Sequence, residues 1–138
     1  MYLVHWPGPW PPSGHQDHRQ LAEFRVQVWR EIEKLYDEEK VKAIGVSNFL
    51  EQHLHDLLDS PECSIMPMVN QIEFNPLQFP QELLRKCRDN GIKVQGYCPL
   101  AKGQALEHPV VQKVAQETRS DPASVLLRWS LQHDVCGY

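Results

Sequence analysis

The chain has 138 residues, 41% apolar content and a formal net charge of −4, which sets the expectation of one domain over residues 1–138 with enough apolar side chains for a core. That charge offers no electrostatic footprint for nucleic acid or an anionic membrane, and no apolar run approaches the roughly 18–20 residues a membrane span needs. Cys63, Cys87, Cys98 and Cys136 form no CxxC, three of them fall within apolar patterns, and no basic-then-apolar leader opens the sequence; reduced, mostly buried thiols in a cytoplasmic protein are expected.

In chain order, Tyr2–His5 reads as a short buried strand. The stretch PGPWPPSG (Pro7–Gly14) that follows is a loop, because prolines at that density cannot propagate a helix. Leu21, Phe24, Val28, Ile32 and Leu35 are spaced 3, 4, 4 and 3 apart, one apolar face of a helix from about Asp17 to Asp37. Val41–Val46 is a second strand. Asn48, three residues before Glu51, is placed to cap a helix whose apolar face is Leu50, Leu54, Leu57 and Leu58. Met68–Glu73 is a third strand and ends before Asn75-Pro76. Pro80 opens a helix at its first turn, with Leu83, Leu84 and Cys87 inward, and Asn90-Gly91 closes it in a left-handed conformation. Ile92–Tyr97 is a fourth strand. Two helices follow, near Pro109–Thr118 and Pro122–Gln132, the second capped by Asp121, and Val135–Tyr138 begins a fifth strand.

Strands alternating with helices predict right-handed βαβ crossovers and a parallel sheet. A doubly wound sheet and a (β/α)8 barrel share this pattern. No strand leads into GxGxxG or a P-loop, which favours a partial (β/α)8 TIM barrel with about half the eight units.

In such a fold, chemistry collects where strands end. The first strand offers His5 and Trp6, the second Ser47 and Asn48, the third Gln71, Glu73 and Asn75, the fourth Tyr97 and Cys98. The set is rich in amides and hydroxyls and holds no pair of carboxylates and no metal-ligand cluster. Amides and a hydroxyl suit a neutral planar amide, a tyrosine face suits a flat heterocycle, and an imidazole nitrogen polarises a carbonyl. A nicotinamide lying across the mouth, with a carbonyl substrate beside His5 and Trp6, satisfies all three. Taken singly, each residue has a plainer use: Ser47-Asn48 as a helix cap, Tyr97 as core packing, Cys98 as a buried thiol.

Four blocks together carry more. YLVHWP (Tyr2–Pro7), KAIGVSNF (Lys42–Phe49), VNQIEFNP (Val69–Pro76) and GYCPL (Gly96–Leu100) resemble the aldo-keto reductases in order and interval, and Ala123–Val135 resembles the helix before that family's last strand. The resemblance implies a barrel that binds NADP(H) across the strand C-termini and reduces aldehydes and ketones, with a small-molecule carbonyl as substrate. It implies that His5 orients the carbonyl as the catalytic histidine and that Trp6 lines the substrate pocket. Ser47, Asn48 and Gln71 would hold the nicotinamide carboxamide, Tyr97 would stack on the ring, and Cys98 and Leu100 would fall at the pyrophosphate.

There are departures. The family's proton-donating tyrosine, with its aspartate and lysine, precedes the first strand seen here, and the segment that grips the 2′-phosphate follows the last. The chain therefore resembles strands four to eight of the barrel, with the eighth cut short and Met1 standing at an apolar strand position. Cys98 replaces a serine. Little or no turnover is expected of the chain alone. The competing expectations are a half-barrel interaction module or an unstable truncated product. His15 and His18 flank Asp17 but have no third ligand nearby, and His53 and His55 face different sides of a helix, so no metal is expected. Pro7–Gly14 is the long loop expected to shape specificity.

Overall fold

The computed structural model describes residues 1–8 and 17–137. Strands β1 (Tyr2–Val4), β2 (Ile44–Ser47), β3 (Val69–Glu73), β4 (Lys93–Tyr97) and β5 (Cys136–Gly137) form a five-stranded sheet. Every neighbouring pair is parallel and the spatial order is the chain order. The connections carry α1 (His18–Asp37), α2 (Glu51–Leu58) and α3 (Gln81–Asp89), then a 3-10 helix (Ala101–Glu107), α4 (Pro109–Thr118) and α5 (Pro122–Gln132). A doubly wound sheet reverses its strand order at a switch point; this one never does. Crossovers of one hand then place every helix on the same face, which is the wall of an opened (β/α) barrel.

Strand alternation separates the two faces. Asn70 and Ile72 of β3, and Val94 of β4, are buried, while Val69, Gln71, Glu73, Gln95 and Tyr97 between them are half-buried. The buried set packs with Ile44 and Val46 against Trp29, Ile32, Leu54, Leu57, Leu83 and Cys87 to form the main core. A smaller cluster of Ala101, Ala105, Val111 and Leu126 joins the 3-10 helix to α4 and α5. On the open face the strands approach closely at Gly45. A Cβ there would stand 2.5 Å from the Val69 carbonyl oxygen and 2.8 Å from Leu3 Cδ2, so only glycine fits.

Several local expectations hold. The first helix spans His18–Asp37 as expected, with Asp17 as a cap that the apolar spacing does not reveal, and Asp121 caps α5 by accepting from Ser124 N–H at 2.9 Å, with Pro122 in the first turn. Gly91 has φ +70° after Asn90. Others are corrected. Asn48 does not cap α2; its φ of 60° turns the chain away, and Leu50 is the N-cap residue, its N–H donating to His53 Nδ1 at 3.2 Å. Leu50 is accordingly exposed. Pro80 is the N-cap of α3 and not part of its first turn. β2 begins at Ile44, because Val41 N–H is spent on the Leu35 carbonyl at the end of α1. The thiols are all free, with Cys87 buried, Cys63 and Cys98 half-buried and Cys136 exposed. Residues 9–16, most of the loop read from the prolines, and Tyr138 lie outside the described residues.

The largest departure is in α1. Its buried residues are Arg25, Val26, Trp29, Ile32 and Glu33, and Phe24 is 42% exposed. The apolar spacing misplaces the inner face because two charged residues occupy it, each with partners. Arg25 donates through Nε and Nη2 to Asp56 Oδ2 at 2.9 and 2.6 Å, and through Nη1 to the Pro7 carbonyl at 2.9 Å. Glu33 Oε1 accepts from Ser64 and Ile65 N–H at 2.8 and 2.7 Å, and Trp29 Nε1 donates to the Ile65 carbonyl at 2.8 Å. These bonds fasten the chain after β1, and the loop before β3, to one helix.

Breaking the buried pair leaves a charge without its partner, which costs about 3–5 kcal/mol. Asp56→Ala is therefore expected to lower the denaturant midpoint far more than removal of the exposed pair by Glu62→Ala. An equal, small effect of both would show that Arg25 is not locked in place.

His53 gives a pH signature. Burial, then the Arg25 charge, lowers its pKa, so the unfolded chain binds the proton more readily than the folded one. Stability is thus expected to decline as pH falls through the unfolded value of about 6.5. His53→Gln should flatten that part of the pH–stability curve; an unchanged slope would reject the assignment.

Candidate active site at the strand C-termini

The parallel register brings the strand ends to one mouth. Ser47 pairs with Gln71, Gln71 with Gln95, and Glu73 with Tyr97. His5 and Trp6 follow β1 directly, their rings stacked at 5.5 Å and 29°. An open cavity of about 490 Å3 lies there, lined by His5, Trp6, Ser47, Asn48, Gln71, Tyr97 and Cys98. These are all but one of the residues to which the family resemblance assigns a role, while the strand-end residues Glu73 and Asn75 lie outside this cavity. Leu100 is not among them; its half-buried side chain packs on the Ala101–Leu126 cluster, and its carbonyl accepts from Gly103 N–H at 2.9 Å.

Asn48 organises the mouth. Its Nδ2 donates to the His5 carbonyl at 3.0 Å and to Ser47 Oγ at 3.2 Å, and its Oδ1 accepts from the Tyr97 hydroxyl at 2.8 Å. Ser47 Oγ donates in turn to the Gln71 carbonyl at 2.8 Å. Asparagine tolerates the left-handed conformation better than most side chains, so one residue both turns the chain and bonds three neighbours. Tyr97 is held as a phenol: burial, then the negative charge of Glu73, raises its pKa. The bond from its hydroxyl to Asn48 Oδ1 fixes the orientation of the ring.

Cys98 also has positive φ, 52°, a strained setting for a non-glycine residue. Asn75, fully buried, supports it by donating from Nδ2 to the Cys98 carbonyl at 3.1 Å while Oδ1 accepts from Leu77 N–H at 3.0 Å. Asn75 was visible as a strand-end residue but its bracing role was not; the signal was the Asn-Pro pair after a strand. Gln95 was missed altogether. It accepts from Gln71 Nε2 at 3.0 Å on the open face, and only the register reveals it. Arg25, through Pro7, fixes the backbone just beyond Trp6.

Among the described residues no group of three or more His, Cys, Asp or Glu side chains could hold a metal ion. A second cavity, of about 480 Å3, lies between α4 and α5 near Pro76 and is lined mainly by Val110, Val111, Val114, Val125 and Trp129. It gathers no acid, base or nucleophile beyond hydroxyls and Arg128. The convergent imidazole, amides, hydroxyls and thiol are at the strand ends.

A parallel barrel wall carries an imidazole, two amides, a serine and a phenol together at its C-terminal mouth. The chain belongs to the aldo/keto reductase family, whose model matches residues 1–137. It is 41% identical over 135 residues to an uncharacterized oxidoreductase, YtbE, of Bacillus subtilis (strain 168), covering 98% of this chain and 43% of that protein. It is 42% identical over 135 residues to the glyoxal reductase of the same organism, covering 98% and 44%. Among solved structures, Gox0644 in its apo form superposes with a TM-score of 0.83 at 31% identity, covering 99% of this chain and 45% of that one. The aldose reductase of Schistosoma japonicum gives 0.78 at 32%, covering 99% and 47%. The chain thus spans less than half the length of these relatives and forms a partial barrel.

Asn48→Ala removes the amide bonds and places a Cβ-bearing, non-bonding residue at positive φ. Asn48→Gly removes the bonds alone. Alanine should therefore be less stable than glycine by about 1–2 kcal/mol in urea unfolding. Alanine as stable as glycine would mean that the backbone relaxes out of the left-handed region.

Proposed function

We propose that this chain supplies the nicotinamide-binding and carbonyl-orienting part of an NADPH-dependent reductase of aldehydes and ketones. The observation that carries the reading is the Asn48 network, which joins three strand ends around the cavity that His5 and Trp6 overlook.

The residues present fit a nicotinamide. A carboxamide offers one acceptor and two donors. Gln71 keeps its carbonyl oxygen and one N–H free of partners among the described residues, and Ser47 Oγ retains accepting capacity. Tyr97, fixed through its hydroxyl, presents a ring for stacking. When bound, the cofactor supplies a hydride. The chain's own share is positioning and electrostatics. His5 donates an N–H to the carbonyl oxygen and holds the carbon toward the ring, with Trp6 as the wall. Small aldehydes are the first substrates to try, since one 42% identical relative is a glyoxal reductase. All four cysteines are free, which fits a reducing, cytoplasmic setting.

The proton donor lies in the part of the family's length that this chain does not span. Tyr97 does not replace it: its proton is engaged by Asn48, and its raised pKa makes it a poorer acid. General acid catalysis is typically worth about 10²–10⁴ in rate, so the chain alone is proposed to have little or no turnover and to bind NADP(H) weakly.

The test joins the chain to the N-terminal half and the final segment of a complete aldo-keto reductase. The chain alone should give no carbonyl-dependent loss of nicotinamide absorbance, and the joined protein should give a clear one. In the joined protein His5→Ala should depress kcat by about 10² or more with cofactor affinity nearly unchanged. Normal turnover by His5→Ala would overturn the assignment, and turnover by the chain alone at the rate of whole reductases would overturn the division of roles.

A further inference from the structure

We propose that Gln95 is a positioning residue for the nicotinamide carboxamide, acting through Gln71. The inference rests on the function proposed above and deepens it.

Register sets Gln95 directly opposite Gln71 on the open face of the sheet. Gln71 Nε2 donates to Gln95 Oε1 at 3.0 Å, and both side chains are half-buried. Gln71 lines the cavity and Gln95 does not. The last torsion of a glutamine side chain is broad and roughly two-fold, so an unbraced Gln71 would present its oxygen and its nitrogen to a ligand interchangeably. With one N–H committed to Gln95, Gln71 keeps a carbonyl acceptor and a single donor for the cavity, the complement of a carboxamide in one orientation. Were the pair reversed, with Gln95 donating to the Gln71 oxygen, that oxygen would be turned toward Gln95 and the N–H groups toward the cavity, and the carboxamide amino group would meet a second donor. The polarity of this pair therefore decides which way a bound carboxamide is turned, and through it which face and edge of the ring sit beside His5.

The experiment uses the chain itself, titrated by fluorescence and NMR with two probes: reduced nicotinamide mononucleotide, whose ring is uncharged, and its analogue without the carboxamide. The quantity read is the affinity advantage that the carboxamide confers. Gln95→Met has the same length but accepts hydrogen bonds only weakly; it should cut that advantage by about five- to tenfold, the worth of one ordinary hydrogen bond. Gln95→Glu can only accept, so it enforces the observed polarity and should keep the advantage within about twofold. The inference is overturned if Gln95→Met keeps the full advantage, if Gln95→Glu loses as much as Gln95→Met, or if Gln95→Met weakens both probes equally. Failure of Gln95→Met to fold would assign the pair to stability and equally overturn it. A parent chain that binds neither probe is a separate outcome: it removes the proposed function and this inference with it.

Discussion

The Asn48 amide stands where β1, β2 and β4 finish, and the mouth of the half-barrel is held through it. Parallel strands are joined along their length by backbone bonds, but those bonds stop where the strands stop. There the side chains of Ser47 and Tyr97, the last residues of β2 and β4, and the chain at His5, just past β1, would be free to diverge. Asn48 bonds all of them, and the left-handed backbone that aims the amide inward is one asparagine accepts at modest cost. A similar device recurs one strand over, where Asn75 braces the positive-φ residue Cys98. Both are side-chain amides, which donate and accept at once. The site is rigid because its irregular backbone is bonded to neighbours on other strands and not merely to itself.

The same economy explains the helical layer. Arg25 and Glu33 are buried charges, which are costly unless paired and hydrogen-bonded. Here each is satisfied by groups outside α1: Asp56 and the Pro7 carbonyl for one, Ser64 and Ile65 N–H for the other. α1 is thereby the anchor for the two irregular segments flanking β2. Among the described residues one buried side-chain polar atom is left over. Asn70 donates to the Phe49 carbonyl at 2.9 Å, but its Oδ1 has no hydrogen-bond partner. The cost of such an orphan is about 1–3 kcal/mol.

Much of the fold was legible because it depends on patterns local in sequence. Alternating strand and helix periods, Asp121-Pro122 at a helix start and Asn90-Gly91 at a helix end are all short-range signals, and the structure honours them. The cavity residues were legible as strand-end side chains, and the family blocks sharpened that list. What stayed hidden depends on partners distant in sequence. No periodicity marks Arg25 as an inward residue, since its partner lies 31 positions away. The Asn48 misassignment has the same root. Asparagine before a helix is most simply a cap, and only the proximity of His5 and Tyr97 gives it a different task. Gln95 was invisible for want of a register, and Leu100 drew attention through its motif while its side chain serves a local core.

The sheet order has a consequence for synthesis. Each new strand is laid beside the one made just before it, and none waits for a distant segment to complete its pairing. Contacts of this kind span one βα unit at a time, so the entropy of closing long loops is met in small instalments. As the chain leaves the ribosome, β2 can settle on β1 while β3 is still being made. The growing edge is also an exposed row of hydrogen-bonding groups at every stage. A nascent half-barrel is therefore well suited to extension and, for as long as its edge is open, exposed to pairing with the wrong strand.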